Sequence, residues 1–247
     1  MIKIKPKKLW KPGVIFAYTI VSLVLTIVFN LSVLDFFASV TAVLYIFLLS
    51  ERHIFNFLVG FVNVALYILV AFFSQLYGEA IFYLVIDIPF AIISYFYWRK
   101  RASADNTVDS RSLKLYWYPI LLIGGTALAF GYSFFLQFIG GVNNFVDALS
   151  TVATLIATLL MLFCFKEQWF MWIVVYVISI VLWSVTDNIL MIIMSAACLI
   201  NSVYGFVIWH LNSKSLEPKS AKASSKIFMK AFTAKSSYKT FKDNGLV

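Results

Sequence analysis

The 247-residue chain is 62% hydrophobic, 18% aromatic and only 13% charged, and it carries a net charge of +9. Soluble domains run at about 45–50% apolar and about 25% charged, and a mean hydropathy of +0.90 places most of this chain in lipid. A nucleic-acid partner is excluded, because the basic residues lie between and beyond the apolar runs and not on one folded face.

A hydrocarbon core takes about 20 apolar residues per helix, and eight segments meet that length: 14–32, 34–50, 54–75, 80–98, 115–138, 145–165, 169–186 and 188–210. The first two come from one long run that breaks at Asn30, Ser32 and Asp35. No small-residue cleavage site follows the first run, so no cleavable signal peptide is expected. Five Lys precede segment one, and Arg52 lies between two and three. Five basic residues lie between four and five, Lys166 lies between six and seven, and eight follow segment eight. With eight spans, all 20 fall on one side, and the opposite turns hold only Asp35, Glu79, Asp147 and Asp187. The positive-inside rule then puts both termini in the cytoplasm of a bacterial membrane. Seven spans would split the basic ends across the bilayer.

Segment four opens Tyr77-Gly78-Glu79 and carries Asp87-Ile88-Pro89 two turns in. A carboxylate that deep costs several kcal/mol unless it is paired or faces water, so Asp87 marks a site. Glu79, nearer the outer surface, is read as either hydrated or a site residue. Pro89 in mid-helix removes a donor and is expected to kink the segment. The linker 99–114 reads as a solvated connector. Residues 211–247 read as a basic tail, disordered or resting on anionic lipid.

Segments two to four open Leu34-Asp35-Phe36-Phe37 and close Tyr95-Phe96-Tyr97-Trp98. Segments six to eight open Val146-Asp147-Ala148-Leu149 and close Tyr204-Gly205-Phe206-Val207-Ile208-Trp209. With segment five as a single crossover, the two triplets are parallel repeats. The predicted division is 1–33 (basic N-terminus and extra helix), 34–98 (first triplet), 99–138 (loop and linker helix), 145–210 (second triplet) and 211–247 (tail). The fold class is an all-α integral membrane protein of eight helices, one plus a 3+1+3 core.

Polar residues inside such segments mark the bundle interior. The candidates are Asn56, Asn63, Tyr67, Glu79, Tyr83 and Asp87 in the first triplet, and Gln168, Trp172, Tyr176, Ser179, Trp183 and Asn201 in the second. Thr151, Thr154 and Thr158 share one face at helical spacing, although Thr in membrane helices more often bonds backbone carbonyls. Aromatics interleaved with amides suit a planar heteroaromatic ligand, with rings stacking on it and amides fixing its orientation. Trp98, Trp169 and Trp209, near segment ends, read as interface-belt residues. Cys164 and Cys198 stand apart in apolar runs, and His53 and His210 form no ligand cluster, so no metal or cofactor is expected. Catalytic and nucleotide-binding motifs are lacking, so the chain is not expected to be an enzyme or an ATP-driven pump.

Asn56-Phe57-x-x-Gly60-x-x-Asn63-Val64, Gln75-Leu76-Tyr77 and Glu167-Gln168-Trp169-x-x-Trp172 together resemble the PnuC family of nicotinamide riboside transporters. Tyr77-Gly78-Glu79 and Asn201-x-x-Tyr204-Gly205-Phe206-x-x-Trp209 resemble the Gram-positive versions. The likeness covers about 34–98 and 145–210. It departs at Ala91-Ile92-Ile93-Ser94-Tyr95, where many members show an Asn-x-x-Gly-Trp-like end. The resemblance implies a fold similar to SWEET sugar carriers and a homotrimer in the bilayer. It also implies facilitated diffusion of nicotinamide riboside, trapped inside by a riboside kinase. Carried over by position, Asn56, Asn63, Gln168, Trp172, Ser179 and Asn201 fall on family motif sites. Related carriers of thiamine, riboflavin or deoxynucleosides are the alternative.

Overall fold

The structure is a computed structural model that describes residues 10–139 and 144–213. The expectations for residues 1–9 and 214–247 lie outside the described residues. Eight helices follow in order: α1 Trp10–Val28, α2 Val33–Ser50 and α3 Asn56–Phe73, α4 Tyr77–Arg99, α5 Trp117–Phe138, α6 Asn144–Leu162 and α7 Gln168–Val185, and α8 Ile189–Ser213. Seven are long and apolar enough to cross a membrane, and α1 contributes a shorter apolar stretch, Pro12–Val28. The chain is therefore an all-α membrane protein among its described residues. Every backbone donor and acceptor in hydrocarbon must be satisfied within its own segment, which leaves helices as the available form.

The helix ends differ from the expected limits by at most four residues, and the reason is local. Five helices stop where a non-glycine residue turns left-handed: Asn30 (φ 50°), Arg52 (φ 62°), Gln75 (φ 60°), Cys164 (φ 60°) and Asp187 (φ 53°). In each case the next N–H bonds back to a carbonyl five residues earlier, as His53 does to Leu48 (3.1 Å) and Phe165 to Leu160 (2.9 Å). This closes the helix with its last carbonyls satisfied. Arg52 and Cys164 are 112 residues apart, and so are Gln75 and Asp187.

The same spacing relates the contacts between α2–α4 and α6–α8. Asp35 accepts from Asn188 Nδ2 at the mouth of α8 (2.9 Å). Asp147, 112 residues on, accepts from Gly78 N–H in the first turn of α4 (2.9 Å). Each aspartate thus meets the N-terminal turn of the opposite group's last helix, where orphan N–H groups favour a negative charge. At the other end Trp98 Nε1 donates to Met161 O (3.1 Å) and Trp209 Nε1 to Leu49 O (3.3 Å). The two carbonyls are again 112 apart, but the two tryptophans are 111 apart. The missing residue has a place. Tyr83–Asp87 forms a π-helical turn inside α4, in which Ile88 N–H reaches back to Tyr83 O, and such a turn holds one residue more than an α turn. Pro89 follows directly, in the first turn of the next α-helical stretch, so its lost donor is absorbed by the altered ladder.

One expectation is corrected here. Trp98, Trp169 and Trp209 are not a belt: each is fully buried, with ring centroids 5.9 Å apart for Trp98–Trp209 and 6.1 Å for Trp169–Trp209. Trp98 and Trp209 satisfy their N–H on carbonyls, which lets such rings pack inside as readily as at an interface, whereas Trp169 Nε1 has no partner among the described residues. Most of the linker 99–114 is exposed, yet it is tied to the bundle at several points. Val108 N–H bonds Arg52 O (3.1 Å), Arg111 N–H bonds Cys164 O (2.8 Å) and Lys166 N–H bonds Arg111 O (2.9 Å). Ser110 Oγ donates to Trp209 O (2.6 Å), and Val108 and Ser110 are buried. The linker is stitched to the turns after α2 and α6 by backbone pairs that its polar composition does not announce.

Gly205 faces Trp169 so closely that an added Cβ would stand 2.5 Å from Cζ2 of the ring. Gly205→Ala is expected to cost about 1–3 kcal/mol through overpacking, read as a lower melting temperature in detergent. An unchanged melt would mean the ring has room to move.

Candidate functional site

Between α2–α4 and α6–α8 lies a cavity of about 50 Å³. Seven of the twelve candidate residues line it: Asn63 and Tyr67 on α3, Tyr83 and Asp87 on α4, and Trp172, Tyr176 and Ser179 on α7. Periodicity explains the grouping. Asn63 and Tyr67, Tyr83 and Asp87, and Trp172, Tyr176 and Ser179 are each three or four apart, so each set shares a helix face.

Asp87 accepts one hydrogen bond, from Thr158 Oγ1 on α6 (3.2 Å), and no basic side chain pairs with it among the described residues. Asn63 donates Nδ2 to Ala38 O (2.9 Å) and to Thr41 Oγ1 (3.1 Å), which leaves its carbonyl oxygen as the end to offer a ligand. Trp172 lies nearly parallel to Tyr176, 6.0 Å away and 23° apart in plane. The Trp172 Nε1 is buried with no hydrogen-bond partner, an arrangement that costs about 1–3 kcal/mol unless something accepts from it. Tyr67 packs edge-on to Tyr83 (4.8 Å) and Trp183 (5.7 Å). The arrangement is a box of rings with one carboxylate, one amide oxygen and one open donor.

The other five candidates lie outside the lining. Glu79 is buried, not hydrated: Tyr67 Oη donates to it at 2.6 Å and Ser150 Oγ at 2.8 Å. It closes the cavity on the side of the acidic turns and meets it only through Tyr67. Trp183 backs Tyr67 from behind. Asn201 spends its amide on Ile46 O of α2 (3.0 Å). Asn56 and Gln168 head α3 and α7, one turn from the lining residues Gly60 and Trp172, and both are fully buried. Asn56 Nδ2 bonds His53 O (2.7 Å), while its Oδ1 and both amide atoms of Gln168 have no partner among the described residues.

The candidate set omitted Tyr45, Phe57, Gly60, Met161 and Met194, all of which line the cavity. Tyr45 bonds Met161 Sδ (3.3 Å) and lies against Gly60, where a Cβ would stand 3.1 Å from its ring. The small-residue row Ala38, Ala42 and Gly60 was the available signal, since close approach of helices needs small side chains. Of the three threonines, Thr158 holds Asp87, Thr151 donates to Asp147 (3.4 Å) and Thr154 to Ser150 O (2.9 Å).

The thiols are inert in this fold. Cys164 sits just past α6, where burial pushes its thiol up to about 12, and Cys198 is fully buried in α8. A raised value keeps Cys164 protonated at pH 7–8, and the thiolate is the reactive form. Maleimide is therefore expected to label neither cysteine before denaturation and both after it. Labelling of the folded protein at pH 8 would show that the α6–α7 turn opens.

The family profile described as nicotinamide mononucleotide transporter matches residues 32–211. The chain is similar to the nicotinamide riboside transporter PnuC of Neisseria mucosa, at 29% identity over 186 residues covering 70% of each chain. It is also similar to that of Haemophilus influenzae, at 30% identity over 175 residues, covering 70% of this chain and 76% of the relative. Among solved structures, a crystal structure of the vitamin B3 transporter PnuC superposes with a TM-score of 0.75 at 26% identity, covering 84% of this chain and 93% of the other.

Proposed function

The chain belongs to the nicotinamide mononucleotide transporter family, and from that premise we propose that it carries nicotinamide riboside, or a close nucleoside-like relative, across a bacterial membrane. The observation that carries this reading is the unpaired Asp87 beside the ring box of Tyr83, Trp172 and Tyr176. A pyridinium is a flat cation. A carboxylate in a low-dielectric site attracts its charge, and the faces of Trp and Tyr rings add cation–π attraction. The Asn63 oxygen accepts from the carboxamide or a ribose hydroxyl, and Trp172 Nε1 donates to one. Glu79, Trp183 and Asn201 act by holding the walls.

A cavity of about 50 Å³ is far below the roughly 300–1,000 Å³ of ordinary small-molecule sites, so binding requires the walls to part. Alternating access supplies that movement, as rocking of one triplet against the other. The proposed frame is eight spans, with one extra helix, parallel triplets at 34–98 and 145–210 and the linker helix between them, similar to SWEET-type carriers. The 112-residue repeat of turns and caps supports it. Asn56 and Gln168, buried with amide atoms to spare, receive the substrate's polar groups as the cavity opens on the basic side. By the positive-inside rule that side is the cytoplasm, with both termini. Facilitated diffusion, trapping by a riboside kinase and a homotrimeric assembly rest on the family resemblance.

The test is calorimetric titration of the purified protein with nicotinamide riboside, thiamine, riboflavin and deoxynucleosides. The riboside is expected to bind tightest by about tenfold or more. A neutral deoxynucleoside binding equally well would remove the role given to Asp87.

A further inference from the structure

We propose that the groove between α5 and the α6–α7 pair holds one acyl chain of an anionic phospholipid, drawn from the leaflet on the basic side of the protein. The groove has a volume of about 700 Å³, with walls from Pro119, Leu122, Thr126, Val152, Ile156 and Val174. Its floor is set by Gly125, where an added Cβ would stand 2.8 Å from Ile156 Cδ1. The one acid in the wall, Glu167, has both oxygens engaged: Oε2 accepts Leu113 N–H (3.0 Å) and Oε1 accepts the Tyr118 hydroxyl (3.3 Å). An apolar trough of this kind in hydrocarbon is filled by lipid or by protein, and its mouth favours lipid. Arg111 and Lys114 are exposed and flank the lining residue Leu113 in sequence, followed by the part-exposed rings of Tyr116, Trp117 and Tyr118. The nearest free acid of the linker, Asp109, leans toward Arg52 (3.8 Å). A lipid phosphate complements that charge and aromatic rings sit at headgroup depth. The length agrees as well. The eight helical steps from Tyr118 to Thr126 rise about 12 Å at about 1.5 Å each, against roughly 15 Å for one leaflet's half of the core.

Native mass spectrometry of the purified full-length protein tests this, with dioleoyl phosphatidylglycerol or dioleoyl phosphatidylcholine added in detergent. One phosphatidylglycerol per chain is expected to stay bound, with phosphatidylcholine at least about fivefold weaker. Thr126→Trp and Val174→Trp fill the groove from its open side and are expected to abolish the adduct. Lys114→Glu, which leaves the trough intact, is expected to erase the preference between the two lipids, by about fivefold per basic side chain. A melting curve matching the parent's shows that each variant is folded. Equal lipid retention in the parent and both Trp variants overturns the proposal. So does a change in oligomeric state with Thr126→Trp at constant lipid count, because the occupant is then a second copy of the chain.

Discussion

Asp87→Asn is expected to weaken nicotinamide riboside binding by about thirtyfold or more, with little change in fold. The substitution keeps the shape and the acceptor that Thr158 uses at 3.2 Å and removes only the charge. Losing one partner of a desolvated charge pair costs about 2–5 kcal/mol, and 2 kcal/mol is already about thirtyfold in Kd. The same variant is expected to leave a neutral nucleoside's affinity within about threefold. Titration of both ligands separates charge from shape. An unchanged riboside Kd would leave the carboxylate as a structural partner of α6 and move substrate recognition onto the rings and Asn63.

Glu79→Ala carries the largest expected loss of stability. Its two oxygens take the hydroxyl protons of Tyr67 (2.6 Å) and Ser150 (2.8 Å), and so join α3, α4 and α6 at one buried point. Removing them strands two hydroxyls, each costing about 1–3 kcal/mol. A total near 3 kcal/mol corresponds to roughly 6–12 °C in melting temperature for a chain of this size. Tyr67→Phe in the same background removes one stranded group and is expected to recover part of the loss, since coupled partners are non-additive. Glu79→Gln keeps shape and an acceptor, and is expected to hold riboside affinity within about twofold because the carboxylate does not line the cavity. A melt unmoved by Glu79→Ala would mean that water already reaches this point, and a large affinity loss in Glu79→Gln would return Glu79 to the binding site.

Much of this arrangement was legible before any coordinates. Asp87 stood out because a charge in an apolar segment demands a reason, and it does line the cavity. Asn63, Tyr67, Trp172, Tyr176 and Ser179, picked as polar or aromatic residues inside apolar segments, line it as well. The same reasoning ranked Asn201 and Glu79 with them, but Asn201 donates to the Ile46 carbonyl across the bundle and Glu79 joins helices through Tyr67 and Ser150. An amide facing a ligand and an amide facing a neighbouring backbone look alike along one helix. The tryptophans failed in the same way. Trp98 and Trp209 near helix ends fit a belt until Met161 and Leu49 are seen to present carbonyls to them.

What the sequence determined by itself is the class of solvent and the order of helical segments, because hydrocarbon forces each segment to satisfy its own backbone and that condition is local. It also determined which residues are too polar to face lipid. Only the tertiary structure decided how five of the helices close, since none of their left-handed turns carries the glycine that would announce it. It also decided the π-helical turn in α4 and the division of the buried polar groups into a cavity wall and a scaffold. Those outcomes depend on what the opposite three helices place within about 3 Å, and no pattern along a single segment encodes that.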